Sequence, residues 1–184
     1  IAEKAVFPRD TNSTHFIWPR GMSYLNRLGV ADKILQLTPH FKNLEVSIEG
    51  ISLHGGVPLQ ALKNRFNALH GNDDGVVDYY AGPRRFYLDS VLLDEARNSG
   101  VEVRENTSVE SLIVEDGVVV GVRGTGPDGK TLAARAKLVI GADGRMSQFA
   151  NLVSSKKVTV REKSTFAYYG YYSGIDKPEL CIHK

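Results

Sequence analysis

The run Lys137-Leu138-Val139-Ile140-Gly141-Ala142-Asp143-Gly144 constrains the fold more than any other stretch of the chain. Three consecutive apolar residues without polar alternation are the pattern of a strand buried on both faces of a parallel sheet. The run breaks at once into glycine, and open α/β sheets take their ligands just beyond the carboxyl ends of such strands. A carboxylate between two glycines can approach a ligand there without obstruction from neighbouring side chains. Asp143 and Gly144 are therefore candidate binding residues. The turn also has a plainer reading, in which Asp143 or Ser147 caps the helix that comes next, predicted over Phe149 to Val153.

The elements before this run come in an informative order. A helix is predicted up to Gly100, with Leu88, Val91, Leu92 and Ala96 on one apolar face. Arg84 and Arg85 stand at its amino end, where a cation gains nothing from the helix dipole. An anion nearby would explain them, because guanidinium and free helix amides can share one; a solvent-facing arginine is the competing reading. Val101 to Arg104 returns as a strand. Three antiparallel strands come next at Ser108 to Val114, Val118 to Gly124 and Thr131 to Ala136, joined by turns at Glu115-Asp116-Gly117 and Gly126-Pro127-Asp128-Gly129. This meander leads directly into Leu138.

The chain opens on Ile1-Ala2-Glu3-Lys4, which reads as the tail of a strand ending in an acidic residue. A carboxylate in that position of a dinucleotide-binding unit holds a pair of ribose hydroxyls, about 20 residues beyond a glycine-rich turn; a solvated terminal charge is the plainer reading of Glu3. A polar loop runs from Phe7 to His15, then a helix from Pro19 to Gly29 carrying Met22, Leu25 and Leu28, and a second from Asp32 ending before Pro39. His15 reads as a loop histidine with a local hydrogen bond, although it could approach a ligand. From Phe41 to Tyr80 the pattern changes to short β pieces at Leu44 to Ile48, Ile51 to His54 and Val76 to Tyr80. Asp73 and Asp74 are adjacent in a glycine-bounded turn and face water, so no metal is assigned. Tyr168, Tyr169, Tyr171 and Tyr172, in the last strand-like stretch, are good strand residues that could also line an aromatic pocket.

Composition narrows the class. With 42% hydrophobic and 24% charged residues, the 184-residue chain reads as a globular protein able to bury a core. A net charge of +2 without a basic run argues against a nucleic-acid surface. No apolar stretch approaches the roughly 20 residues that span a bilayer, and no leader is recognisable. The single cysteine, Cys181, points to a reducing, cytoplasmic setting. The first residue is isoleucine and the last four come just after a strand-like stretch, so the chain reads as a segment of a longer protein.

Four stretches in this order carry a resemblance: E-K-x-x-F-P-R-D-x-x-S-T-H from Glu3, R-R-x-x-L-D-x-x-L-L from Arg84, the meander, and L-V-I-G-A-D-G-R-x-S from Leu138. Together they resemble the FAD-dependent monooxygenase and geranylgeranyl reductase superfamily, whose fold is that of para-hydroxybenzoate hydroxylase. The resemblance implies an α/β fold: an FAD-binding Rossmann-like parallel sheet with an antiparallel β-meander, plus part of a β-rich substrate domain. Residues 1–40 and 81–154 would belong to the FAD-binding part, and 41–80 and 155–184 to the substrate-domain sheet. Carried over by position, Glu3 holds the adenosine ribose, Ser13, Thr14 and His15 lie in a loop near the flavin, and Arg85 lies by the cofactor's phosphates or ribityl chain. Val109 offers a backbone group to the adenine, and Asp143 with Gly144 binds the diphosphate-ribityl region.

The function this resemblance implies is that of an FAD-dependent oxidoreductase acting on a small organic substrate, aromatic ones included, with NAD(P)H as the candidate electron donor. Hydroxylation with oxygen is the leading reaction and hydride transfer to an isoprenoid-type carbon-carbon double bond the nearest alternative. Halogenation ranks lower, since the chain has no W-x-W-x-I-P segment. A non-catalytic α/β binding module is the rival from another class. Where hydroxylases of the family carry an arginine seven or eight positions past the aspartate, this chain has Ala150 and Asn151, so a nicotinamide cofactor would need another dock. The glycine-rich turn and the family's later glycine-aspartate motif fall outside the chain, and the segment alone is expected to bind flavin weakly or not at all.

Overall fold

A computed structural model of the chain describes residues 1–13, 16–160, 174 and the backbone of 180–183. Its elements are α1 (Pro19–Arg27), α2 (Ala31–Leu35), β1 (His40–Phe41), β2 (Leu44–Ile48), β3 (Ile51–Gly55), α3 (Leu59–His70), β4 (Tyr80–Ala81), α4 (Arg85–Asn98), β5 (Ser108–Glu115), β6 (Val118–Thr125), β7 (Thr131–Arg135), α5 (Gln148–Leu152) and β8 (Leu180–His183). They fall into two units, one of residues 1–6 and 101–168 and the other of residues 7–100 and 169–184. Each is an α/β arrangement, in keeping with the expected fold class.

The first unit is built on the meander β5-β6-β7, antiparallel throughout. Its turns fall where the glycines and aspartates require: Asp116 and Gly117 take φ of 49° and 78°, the left-handed pair of a tight two-residue hairpin turn. Register shifts between Val109 and Ser111 and between Ile113 and Val114 mark bulges in β5. Gly124 is paired with Val109, and a Cβ on it would lie 1.8 Å from the carbonyl oxygen of Ser108. Only a residue without a side chain lets these two backbones approach so closely. Beside the meander, Ala2 and Arg104 form a parallel bridge. Backbone bonds from Glu3 N to Arg104 O and from Arg104 N to Ile1 O, both 2.9 Å, hold it. The strand tail expected at Ile1 and the strand expected over Val101 to Arg104 meet only in this single bridge.

Leu138 to Ile140 differs from expectation. It forms no strand, and Leu138 and Ile140 are 73% and 77% exposed. A three-residue apolar run becomes a sheet strand only where neighbours complete its hydrogen bonds on both edges. The described residues of this unit supply none. The helix after it is where it was expected, with Ser147 at its amino cap accepting the Ala150 amide at 3.0 Å.

The second unit packs α1 and α2 against β4 around Met22, Ala31 and Ala81, each at most 1% exposed. Ile17 and Ala81 exchange backbone bonds of 2.8 and 3.2 Å, and Tyr80 and Ala81 pair with β1. Ser23 adds an internal polar tie: it accepts from Val77 N at 3.0 Å and donates to Pro19 O at 2.7 Å. β2 pairs antiparallel with β3 and parallel with β8. The β pieces expected between Phe41 and Tyr80 are thus partly right, but the stretch also holds the twelve-residue helix α3. Leu59, Leu62, Phe66 and Leu69 recur at helical spacing between Pro58 and Gly71, and Phe66 is fully buried. The predicted strand at Val76 to Tyr80 shrinks to Tyr80–Ala81, where a partner exists. Asp73 is ion-paired with Lys63 at 3.5 Å.

The Gly124 contact yields a stability test. Gly124→Ala drives a methyl group into the Ser108 carbonyl and is expected to cost about 3 kcal/mol, the upper end of ordinary overpacking. Chemical denaturation of the variant beside the parent protein measures it, with Gly117→Asn, which suits a left-handed position, as the near-neutral control.

Candidate functional site

In the first unit, the parallel bridge places Glu3 at its carboxyl end, where ligands of such sheets bind. The Glu3 carbonyl accepts the Thr107 amide at 2.9 Å, and Thr107 is 1% exposed. Val109 lies two residues further along the chain, so Glu3 and Val109 are tied through one buried backbone link. The Glu3 carboxylate is half-buried and accepts the Ala5 amide at 2.8 Å, which fixes one oxygen.

Asp143 sits in an open turn in which residues 141–146 are all exposed. It accepts from the Ser147 hydroxyl at 2.5 Å and from the amides of Gln148 and Phe149 at 2.6 and 3.2 Å. The plainer reading of the sequence thus describes what its carboxylate does here: it caps α5 together with Ser147. The Ser147 hydroxyl, with the two amides as smaller contributors, holds the Asp143 carboxyl below the usual aspartate range against an opposing effect of burial. Gly144 takes φ of 82°, which an L side chain would strain. Gly141 packs under Phe149, where a Cβ would stand 2.7 Å from the ring-bearing carbon. A cleft of about 300 Å³ opens beside this turn, lined among others by Leu112, Val119, Val139, Ser147 and Phe149.

In the second unit, the polar loop and the amino end of α4 are joined by an ion pair between Asp10 and Arg84. Ser13 lies in that loop, half-buried; Thr14 and His15 lie outside the described residues. Arg85, also half-buried, is the first residue of α4 and donates from Nε to Asp89 Oδ1 at 2.5 Å. The Asp89 bond keeps the Arg85 guanidinium protonated, above the usual arginine range. Of the expected residues, the structure links Glu3 with Val109, and it sets Asp143 beside Gly144. Tyr168, Tyr169, Tyr171 and Tyr172 lie outside the described residues.

Sequence reasoning missed Asp89 and an aromatic cluster. Phe16 stacks on Tyr80 with ring centres 5.4 Å apart, and Trp18 meets both edge-on at 5.5 and 5.4 Å. The alternation Phe16-Ile17-Trp18, which puts both rings on one face of an extended segment, was the available signal. For Asp89 it was the four-residue spacing from Arg85. Among the described residues no helix is long and apolar enough to cross a membrane.

Residues 3–170 match the family model of the FAD binding domain, and the chain belongs to that family. The digeranylgeranylglycerophospholipid reductase of Methanosarcina acetivorans is 37% identical over 100 residues, covering 53% of this chain and 24% of that protein. The chain therefore spans less than a third of that relative's length. Among solved structures, the fold resembles PqsL, a probable FAD-dependent monooxygenase from Pseudomonas aeruginosa (TM-score 0.63, 20% identity, 88% of this chain and 40% of that one). It also resembles the flavin-dependent halogenase CmlS (TM-score 0.60, 25% identity, 83% of this chain and 26% of that one).

The depressed Asp143 carboxyl makes the α5 cap pH-dependent. Because its folded value lies below the unfolded one, the stabilisation is fully present above the ordinary aspartate pKa and is lost as pH falls through the folded value. An NMR titration is expected to give Asp143 a midpoint below that of an unstructured aspartate, with the Gln148 and Phe149 amides moving in step. Ser147→Ala should raise that midpoint.

Proposed function

We propose that the whole protein is an FAD-dependent monooxygenase that hydroxylates a small organic substrate. The reading rests on one observation above all: family elements run in order through residues 3–170, with Glu3 at the carboxyl end of a parallel pair. The residues fit the group. FAD presents a ribose diol, a diphosphate and a polyol chain; the chain offers a carboxylate, a guanidinium and a turn whose glycine needs a left-handed backbone.

In this reading Glu3 accepts the ribose hydroxyls with the oxygen not committed to Ala5. Thr107, bonded to the Glu3 backbone, aligns β5 so that Val109 can offer its backbone to the adenine edge. Arg85 neutralises phosphate charge at the amino end of α4, where the dipole also favours an anion. The resemblance assigns Ser13 and Thr14 to the flavin end, and Gly144 keeps the turn after Asp143 open to the ribityl chain. The flavin itself, when bound, supplies the hydride and oxygen chemistry; the protein supplies orientation and exclusion of water. Residues 1–40 and 81–154 form the FAD-binding part in this assignment. Residues 41–80 and 155–184 are assigned to the substrate-domain sheet; the pairing of β2 with β8 supports joining those two stretches, whereas the compact units keep residues 7–40 and 81–100 with residues 41–80.

The archaeal relative favours a second reading, reduction of carbon-carbon double bonds in an isoprenoid-type substrate. The two part company over oxygen. With the purified full-length protein, hydroxylation requires NAD(P)H consumption coupled to oxygen uptake. Substrate-dependent NAD(P)H consumption that persists without oxygen and saturates an alkene establishes the reductase instead. Absence of bound flavin after reconstitution with FAD would sink both. Glu3→Gln is expected to weaken FAD binding roughly tenfold, the worth of a charge-assisted hydrogen bond, as read by flavin fluorescence.

A further inference from the structure

Arg85 and Asp89 stand one turn apart at the start of α4. Their charges run against the helix: a cation in the first turn and an anion one turn on is the unfavourable order for the macrodipole. Burial makes the arrangement costlier still. The Asp89 side chain is only 11% exposed, and its Oδ2 is buried with no hydrogen-bond partner among the described residues. A pair retained for helix stability alone would be expected to use both carboxylate oxygens or to be replaced by apolar packing.

The geometry has another use. Asp89 binds Nε, the donor nearest the aliphatic stem of Arg85, at 2.5 Å. Gripped there, the guanidinium plane is fixed, while the atoms engaged by Asp89 do not include the two Nη groups at its tip. Arg85 remains 34% exposed, so the tip is accessible. An arginine held in this way meets a diphosphate without first giving up its rotamer freedom. We propose that Asp89 is a positioning residue, which locks Arg85 through Nε so that its Nη edge meets the diphosphate of the dinucleotide cofactor. This rests on the proposed function, in which Arg85 faces that cofactor.

The test is the FAD dissociation constant of the full-length protein, measured by flavin fluorescence for D89N, D89E, R85Q and the D89N/R85Q double variant. Unfolding midpoints of the apoproteins are taken in parallel. D89N keeps the shape and an acceptor but loses the charge, and is expected to raise the dissociation constant roughly tenfold, the scale seen when the partner that orients a ligand-binding group is removed. D89E, which restores the carboxylate, should recover most of that loss, and the double variant should bind no more weakly than R85Q alone. If R85Q weakens binding while D89N does not, the positioning role is overturned and the cofactor contact of Arg85 stands. If R85Q leaves binding unchanged, Arg85 does not meet the cofactor and both readings fall. Losses that multiply in the double variant also overturn the proposal, because Asp89 would then act by a route other than Arg85. Should D89N not fold, D89S takes its place, measured alone and in the R85Q background: no loss, or a loss that persists in the R85Q background, rejects the coupling, and a loss that vanishes there upholds it.

Discussion

The parallel bridge between Ala2 and Arg104 is the constraint on which the rest of the first unit depends. It joins residues a hundred positions apart in the chain, so its closure carries a substantial entropy cost that short-range contacts do not repay. What offsets it is the set of backbone bonds on either side, from Ile1 and Glu3 to Arg104 and from Glu3 to the buried Thr107. These bonds also decide where chemistry can occur. They hold Glu3 at the end of the pair and start β5 at a fixed offset from it. Without this pairing Glu3 would lose its fixed offset from β5.

The meander meets a different requirement. Its strands must approach closely to keep their ladder, and the pairing of Val109 with Gly124 is where the approach is tightest. The bulge next to Val109 interrupts that ladder. An extra residue re-aims the local backbone and frees polar groups from the ladder, which is how a strand can offer hydrogen bonds to something other than its neighbour. Rigidity from glycine packing and freedom from the bulge therefore coexist within three residues.

Much of this was legible in the sequence because it depends on local signals. Asp116-Gly117 and Gly126-Pro127-Asp128-Gly129 mark turns by their own backbone preferences, and the meander strands lie within a residue or two of where those turns put them. The boundaries of α1 and α4 come equally well from Pro19, Gly29 and Gly100. Helix α3 was missed although Pro58, Gly71 and an apolar stripe from Leu59 to Leu69 announce it, because the glycine-rich stretches around it favour strands and turns. The run Leu138-Val139-Ile140 failed for a different reason: its strand character is not a property of the run but of neighbours that must bond to it. Asp143 shows the same limit at the site. Its place after the apolar run was readable, whereas the bonds to Ser147, Gln148 and Phe149 depend on how the turn closes.

The scaffold and the reaction are separable, and the structure shows why. What the chain shares with flavoproteins of differing chemistry is its backbone arrangement. That arrangement can persist while side chains diverge, since hydrogen bonds between main chains do not depend on side-chain identity. The aromatic triad of Phe16, Trp18 and Tyr80 is tied to the same kind of backbone pairing. It flanks the polar loop containing Ser13, and its base, Tyr80, is locked between the pairings to Phe41 and, through Ala81, to Ile17. Trp18 is 53% exposed on that fixed base. A rigid support beneath an exposed ring restricts which shapes can stack on it.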